Sequence, residues 1–187
     1  LNVVLLSEFR RRYAQELYST YVKPVIMFKS QRIDASNEAN QTFNELIDSL
    51  TPQSIQDFLL RQKQAGNERE SETLSMAHEY YRKNDSELDQ IIREIKREFA
   101  PSRIINANDS DRGSGMLEKG QYEALNSLES PANLYRVIFA VAKLTEGWDV
   151  LNLYDIVRIS NYKDTKGDKK TTMAEAQLIG RGARYNP

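Results

Sequence analysis

Five apolar residues, Val137-Ile-Phe-Ala-Val141, lead through a short connection into the polar loop Thr145-Glu146-Gly147-Trp148-Asp149. A strand with one wet face alternates apolar and polar side chains. An unbroken apolar run is what a strand buried on both faces requires, and parallel sheets with helices on either side provide that setting. A hydroxyl, a glycine and a carboxylate at the end of such a strand is how α/β sheets assemble ligand sites. As a bare pattern, the same loop also reads as an ordinary turn with Trp148 as hydrophobic cover.

Three more stretches read as strands: Val25–Phe28, which is followed by Lys29-Ser30, then Arg103–Asn106, and Tyr154–Ile159. Ahead of the first stands a short apolar segment, Asn2–Leu6, and a charged helix over Ser7–Tyr21 ended by Lys23-Pro24. Its Arg10-Arg11-Arg12 cluster reads as a solvated face, with phosphate contact as the sharper alternative.

From Ser36 to Ala100 the periodicity is helical. Ala39, Phe43, Leu46, Ile47 and Leu50 form one stripe. Thr51-Pro52 is an N-cap with proline at the first helical position, opening a helix through Ile55, Phe58 and Leu59 that Gly66-Asn67 breaks. Leu74, Ala77, Tyr80 and Tyr81 mark a third helix, with the tyrosines read as packing residues. Asp85 caps a fourth, which carries Leu88, Ile91, Ile92, Ile95 and Phe99. A crossover between parallel strands needs only about a dozen residues, so residues 36–100 read as a helical insertion. Residues 108–115 form a polar loop without calcium-loop spacing, and Met116–Leu128 a further helix. Strands alternating with helices predict an α/β fold, a mainly parallel sheet with helices on both faces.

The closing stretch, Thr171–Pro187, contains Gln177-x-x-Gly180-Arg181-x-x-Arg184. On a helix, Gln177, Arg181 and Arg184 share one face, and Gly180 beside them admits a close approach. Thr172 and Glu175 have capping-box spacing. Two guanidinium forks on one face match a polyphosphate. The plainer reading is a solvated face, or ion pairs with nearby acids.

Net charge is −1, so any nucleic-acid contact is local rather than a global field. There are no cysteines, which excludes disulfide and thiol chemistry. His78 is the sole histidine, which argues against a histidine-centred zinc site or a Ser-His-Asp triad. No apolar run approaches the roughly 20 residues that span a bilayer. Leu1 is not a natural start, and the chain reads as a piece of a longer one without a signal peptide.

Together the stretches TEGWD and AEAQLIGRGARYNP resemble motifs V and VI of superfamily 2 helicases and translocases, most of all the motor (Res) subunit of type III restriction enzymes. Val25–Ser30 resembles motif IV. The resemblance implies the second RecA-like domain of a two-domain cytoplasmic motor, spanning residues 1–187. Neither a phosphate-cradling G-x-x-x-x-G-K-[ST] loop nor a D-E-x-x magnesium box occurs. In that family both lie on the preceding domain, and ATP sits between the two.

By that resemblance Arg184, with Arg181, approaches the γ-phosphate, and Gln177 contacts it or the attacking water. Asp149 reaches the ribose or organises the arginines, while Gly147 and Gly180 line the nucleotide. Lys29, Ser30 and Thr145 face nucleic acid. Gly182 ends the motif VI helix early, which places Arg184 at a helix terminus or in a loop. The expected partners are DNA, the preceding domain and a modification (methyltransferase) subunit, with ATP and Mg2+ as ligands of the whole protein and neither held tightly by this chain alone. Two alternatives remain open: a type I restriction or DNA-repair motor of the same superfamily, and a non-catalytic α/β interaction module.

Overall fold

A computed structural model describes residues 1–66, 71–107, 119–141 and 152–159. The described strands are β1 (Val25–Ser30), β2 (Ile104–Ala107), β3 (Val137–Val141) and β4 (Leu153–Ile159). They form one sheet in the order β2-β3-β1-β4, and every pairing is parallel. The described helices are α1 (Asn2–Tyr18), α2 (Ile33–Asp48), α3 (Pro52–Ala65), α4 (Glu72–Lys83), α5 (Leu88–Glu98) and α6 (Lys119–Asn126). The chain is therefore an α/β protein with an all-parallel described sheet, as a RecA-like fold requires. Two compact units divide it: residues 1–22 with 43–100, and residues 23–42 with 101–187.

In the sheet unit, β3 covers the residues of the continuous apolar run, and Val137, Ile138, Phe139 and Ala140 are all buried. Register sorts the side chains onto two faces. Met27, Ile138 and Ile105 stand level on one face, with Val25, Ala107, Ala140 and Leu153 around them. Leu125 and Leu128, at and just beyond the end of α6, close over that face, with Ala124 and Ile156 packed at its margin. The opposite face carries Phe28 stacked on Phe139, with ring centroids 4.9 Å apart. Asn40 on α2 donates to Asn106 on this second face at 3.1 Å, so helices meet both sides of the sheet.

The amino edge of the sheet is tied by side chains. Arg136 is fully buried, and its Nε donates to the Pro24 carbonyl at 3.0 Å. Asn152 donates to the Leu128 carbonyl at 2.8 Å. Lys23 Nζ donates to the carbonyls of Ser130 and Asn133. Burial, followed by the charges of Arg136 and Arg103, lowers the Lys23 ammonium from 10.5 to about 8.

The sign of the resulting pH dependence follows from proton counting. Between about 8 and 10.5 the unfolded chain binds more protons than the folded one, so this residue's contribution rises with pH through that window. Chemical denaturation of wild type and Lys23→Met checks it. The difference in unfolding free energy should shift toward the wild type by about 3 kcal/mol across the window and stay flat below it.

In the helical unit, α1 takes in both the apolar segment and the charged helix that the sequence separates. Val4, Leu5 and Phe9 are buried along its inner side, and the helix stops at Tyr18 with Ser19 left-handed (φ 51°), ahead of Lys23-Pro24. Tyr81, fully buried on α4, donates to the Leu5 carbonyl at 2.7 Å. His78 is also buried, and its Nε2 lies 2.9 Å from Asn2 Oδ1.

Arg11 and Arg12 do not form a solvated face. Arg11 pairs with Glu8 and, at 2.7 Å, with Glu94 on α5, and Arg12 reaches Glu94 at 3.3 Å and the Tyr80 hydroxyl at 3.2 Å. The hydrogen bond to Glu8 outweighs burial and holds the Arg11 guanidinium above its usual pKa. Burial alone would raise the Glu94 carboxyl, but the Gln90 hydrogen bond and the two arginines bring it below its ordinary value.

The α3 cap forms as its residues dictate. Thr51 and Ser54 exchange hydrogen bonds in a capping box, Pro52 opens the helix, and Gly66 closes it at φ 73°. Asp85 departs from the expected cap: it begins a three-residue 3-10 turn ahead of α5, and its carboxylate accepts from Gln56 at 2.6 Å. Ile91, Ile95 and Phe99 are fully buried, and Phe99 meets Phe43 edge-on at 6.1 Å.

Candidate functional site

Because the strands are parallel, all four end on the same edge of the sheet, where α/β folds place ligands. Ser30 at the end of β1 is level with Val141 on one side and Ile159 on the other. The chain leaving β3 carries Thr145, Gly147 and Asp149, and the chain leaving β4 carries Gln177, Gly180, Arg181 and Arg184. Those seven residues lie outside the described residues. The sheet nevertheless fixes the points from which both stretches depart, one on each side of Lys29-Ser30.

Lys29 and Ser30 are described. Alternation along β1 turns Lys29 toward the face that Leu125 and Leu128 cover, and Ser30 toward the face that α2 meets. Ser30 is 1% exposed, and its Oγ has no hydrogen-bond partner. Ser36, in the first turns of α2, is likewise fully buried with an unpartnered Oγ. A buried hydroxyl left unpaired costs about 1–3 kcal/mol, so two such groups near one sheet edge are costly for the domain by itself. At the amino edge the donors of Arg136, Lys23 and Asn152 reach backbone carbonyls, although Asn152 Oδ1 is likewise buried without a partner. An orphaned donor at the strand end suits a ligand oxygen, which is the fit a phosphate group asks for.

Lys29 is level with Ala140 on β3 and Arg158 on β4. Arg158 is exposed at the outer strand of the described sheet, and the sequence pattern did not mark it as a site residue. Its signal is visible only in register, because nothing local distinguishes it from any strand-end arginine. Among the described residues, no group of histidines or carboxylates is placed to hold a metal ion. No helix among them is long and apolar enough to cross a membrane.

The fold and its carboxyl edge define an α/β domain of the mainly parallel, RecA-like kind. Over 178 residues the chain is 30% identical to a protein of Haemophilus influenzae described as "Probable type III restriction-modification enzyme HindVIP Res subunit", covering 91% of this chain and 34% of that relative. The chain thus spans about a third of the length of the curated relative it matches. A family model described as HI_1054_N, N-terminal region, matches residues 171–187, the stretch that carries Gln177, Arg181 and Arg184. No solved structure matches.

Proposed function

We propose that this chain is the second RecA-like motor domain of a DNA-dependent ATPase, the translocating Res subunit of a type III restriction enzyme. The observation that carries the reading is the register at the carboxyl edge: Val141 and Ile159 flank Ser30 level with it. β3, the strand that precedes the stretch resembling motif V, and β4, the strand that precedes the one resembling motif VI in sequence, thus lie on either side of the strand resembling motif IV. The 30% identity to a protein whose printed description is a Res subunit supports it independently.

In this reading the domain forms one wall of an ATP cleft, and a preceding RecA-like domain supplies the phosphate loop and the carboxylates that hold Mg2+. Arg184, with Arg181, reaches the γ-phosphate and stabilises the charge that develops as it passes to water. Gln177 orients the attacking water or the γ-phosphate, Asp149 holds the ribose or the arginines, and Gly147 and Gly180 let backbone approach the nucleotide. Lys29, Ser30 and Thr145 grip the nucleic-acid backbone. Closure on ATP and opening after hydrolysis convert turnover into movement along DNA. The helical unit is an elaboration carried by this domain, a modification subunit is a further partner, and the setting is cytoplasmic.

DNA-stimulated ATP turnover by the full-length protein tests the assignment. Gln177→Ala should lower kcat roughly 10²-fold, as removal of one transition-state hydrogen bond does elsewhere, with the KM for ATP little changed. Unaltered kcat would remove Gln177 from the reaction.

A further inference from the structure

Leu17, Tyr18 and Tyr21, at and just beyond the end of α1, are 56%, 71% and 58% exposed. Every residue from 15 to 21 is exposed, whereas Val4, Leu5 and Phe9 near the start of the same helix are buried. A single exposed apolar side chain, such as Leu60 on α3, is ordinary; three within five residues make a patch.

This end of α1 is anchored rather than frayed. Ser19 is left-handed, and its N–H donates to the Gln15 carbonyl at 3.1 Å while the Thr20 N–H reaches the Ala14 carbonyl at 3.3 Å. Both bonds satisfy carbonyls of the final turns. Thr20 Oγ1 donates to the Tyr18 carbonyl at 3.1 Å, and Glu16 accepts from the Tyr80 hydroxyl of α4 at 2.6 Å. The apolar side chains are thus presented from a fixed backbone, and covering them orders little beyond the side chains themselves.

Charge and area narrow the occupant. Residues 13–22 contain one charged side chain, Glu16. The cations on either side are engaged, Arg12 with Glu94 and Tyr80, Lys23 with the Ser130 and Asn133 carbonyls. Nucleic acid binds through cations that neutralise phosphates, so this patch suits a protein surface, where exposed aromatics away from charge mark the centre of an interface. At the area an aromatic side chain buries, the three expose about 300–400 Å². A stable complex of separate chains buries about 800 Å² per partner. An occupant in the same polypeptide needs less, because tethering raises its effective concentration. This chain spans 34% of its curated relative, and two-thirds of that relative lies beyond the matched stretch.

We propose that the end of α1 is a docking surface for the RecA-like domain that precedes this one in the full-length chain. The proposal rests on the motor reading above, in which that domain exists and stands across the ATP cleft. Docking through Leu17, Tyr18 and Tyr21 gives the two motor domains a contact away from the nucleotide, which keeps them associated while the cleft is open.

Photo-crosslinking of the full-length protein tests it, with p-benzoylphenylalanine placed in turn at Tyr18, at Tyr21 and, for comparison, at Leu60, which is 54% exposed. Mass spectrometry of the cross-linked peptides identifies the occupant. Tyr18 and Tyr21 should cross-link within one polypeptide to the domain that bears the phosphate loop, several-fold more than Leu60 does. The double substitution Leu17→Ser with Tyr18→Ser should abolish the Tyr21 cross-link and leave the melting temperature unchanged. Cross-links to a second copy, another subunit, DNA or another part of the same chain would overturn the proposal, as would none above the Leu60 level. So would a Tyr21 cross-link that survives the double substitution, or a double variant that unfolds. Each of these leaves the motor reading standing, since that reading is judged by Gln177→Ala turnover. A full-length protein with no phosphate-loop domain would overturn both.

Discussion

Phe139→Ala should cost about 3–5 kcal/mol of unfolding free energy. Phe139 is fully buried on β3, a strand with neighbours on both sides. Its ring stacks on Phe28 of β1, at 4.9 Å between centroids and 10° between planes, and the two residues are register partners. Truncation removes the ring's transfer free energy, leaves a cavity that two paired strands cannot easily collapse into, and abolishes an aromatic contact worth about 0.5–1.5 kcal/mol beyond its area. Phe139→Leu refills much of the volume and should cost less. Chemical denaturation of the two variants separates the terms. Nearly equal losses would assign the effect to the stacking geometry, and a loss below about 1 kcal/mol in Phe139→Ala would contradict the burial described here. The functional consequence follows from position, since β3 feeds directly into the stretch bearing Thr145, Gly147 and Asp149.

The same residue shows what could be read in advance. A strand covered on both faces needs apolar side chains in both parities, so Val137–Val141 declares itself locally, and the structure places β3 over those residues. The α3 cap was equally legible, because Thr51, Pro52 and Ser54 settle it among themselves. The beginning of α1 was not. Asn2–Leu6 is too short and too uniformly apolar to show a period, and its helical state is supported by packing such as the Tyr81 bond to Leu5.

The arginine cluster was misread for the complementary reason. The carboxylate that gathers Arg11 and Arg12 belongs to Glu94, 83 residues from Arg11, and no local pattern contains it. At the site, Lys29 and Ser30 were marked only by resemblance, since four apolar residues before a lysine is a weak signal. The unpartnered hydroxyls of Ser30 and Ser36, and the alignment of Lys29 with Arg158, exist only once strands are in register and α2 lies on the sheet.

The largest functional effect is expected at Arg184. A guanidinium that meets the γ-phosphate only as charge builds on it lowers the barrier without tightening ground-state binding. Comparable arginine fingers contribute about 10³–10⁵ in rate, equivalent to about 4–7 kcal/mol. Arg184→Ala in the full-length protein should therefore abolish DNA-stimulated turnover while ATP affinity and the unfolding transition stay close to wild type. Arg184→Lys should restore little, because a point charge cannot reproduce a bidentate fork. Arg181→Ala should be the milder of the two if Arg181 serves mainly to position its neighbour.

The decisive measurement is single-turnover hydrolysis of ATP by the full-length Arg184→Ala protein with DNA bound. A rate constant at least about 10³-fold below wild type, with nucleotide affinity preserved, is the expected result. A rate constant within a few-fold of wild type would mean that no guanidinium from this domain reaches the nucleotide.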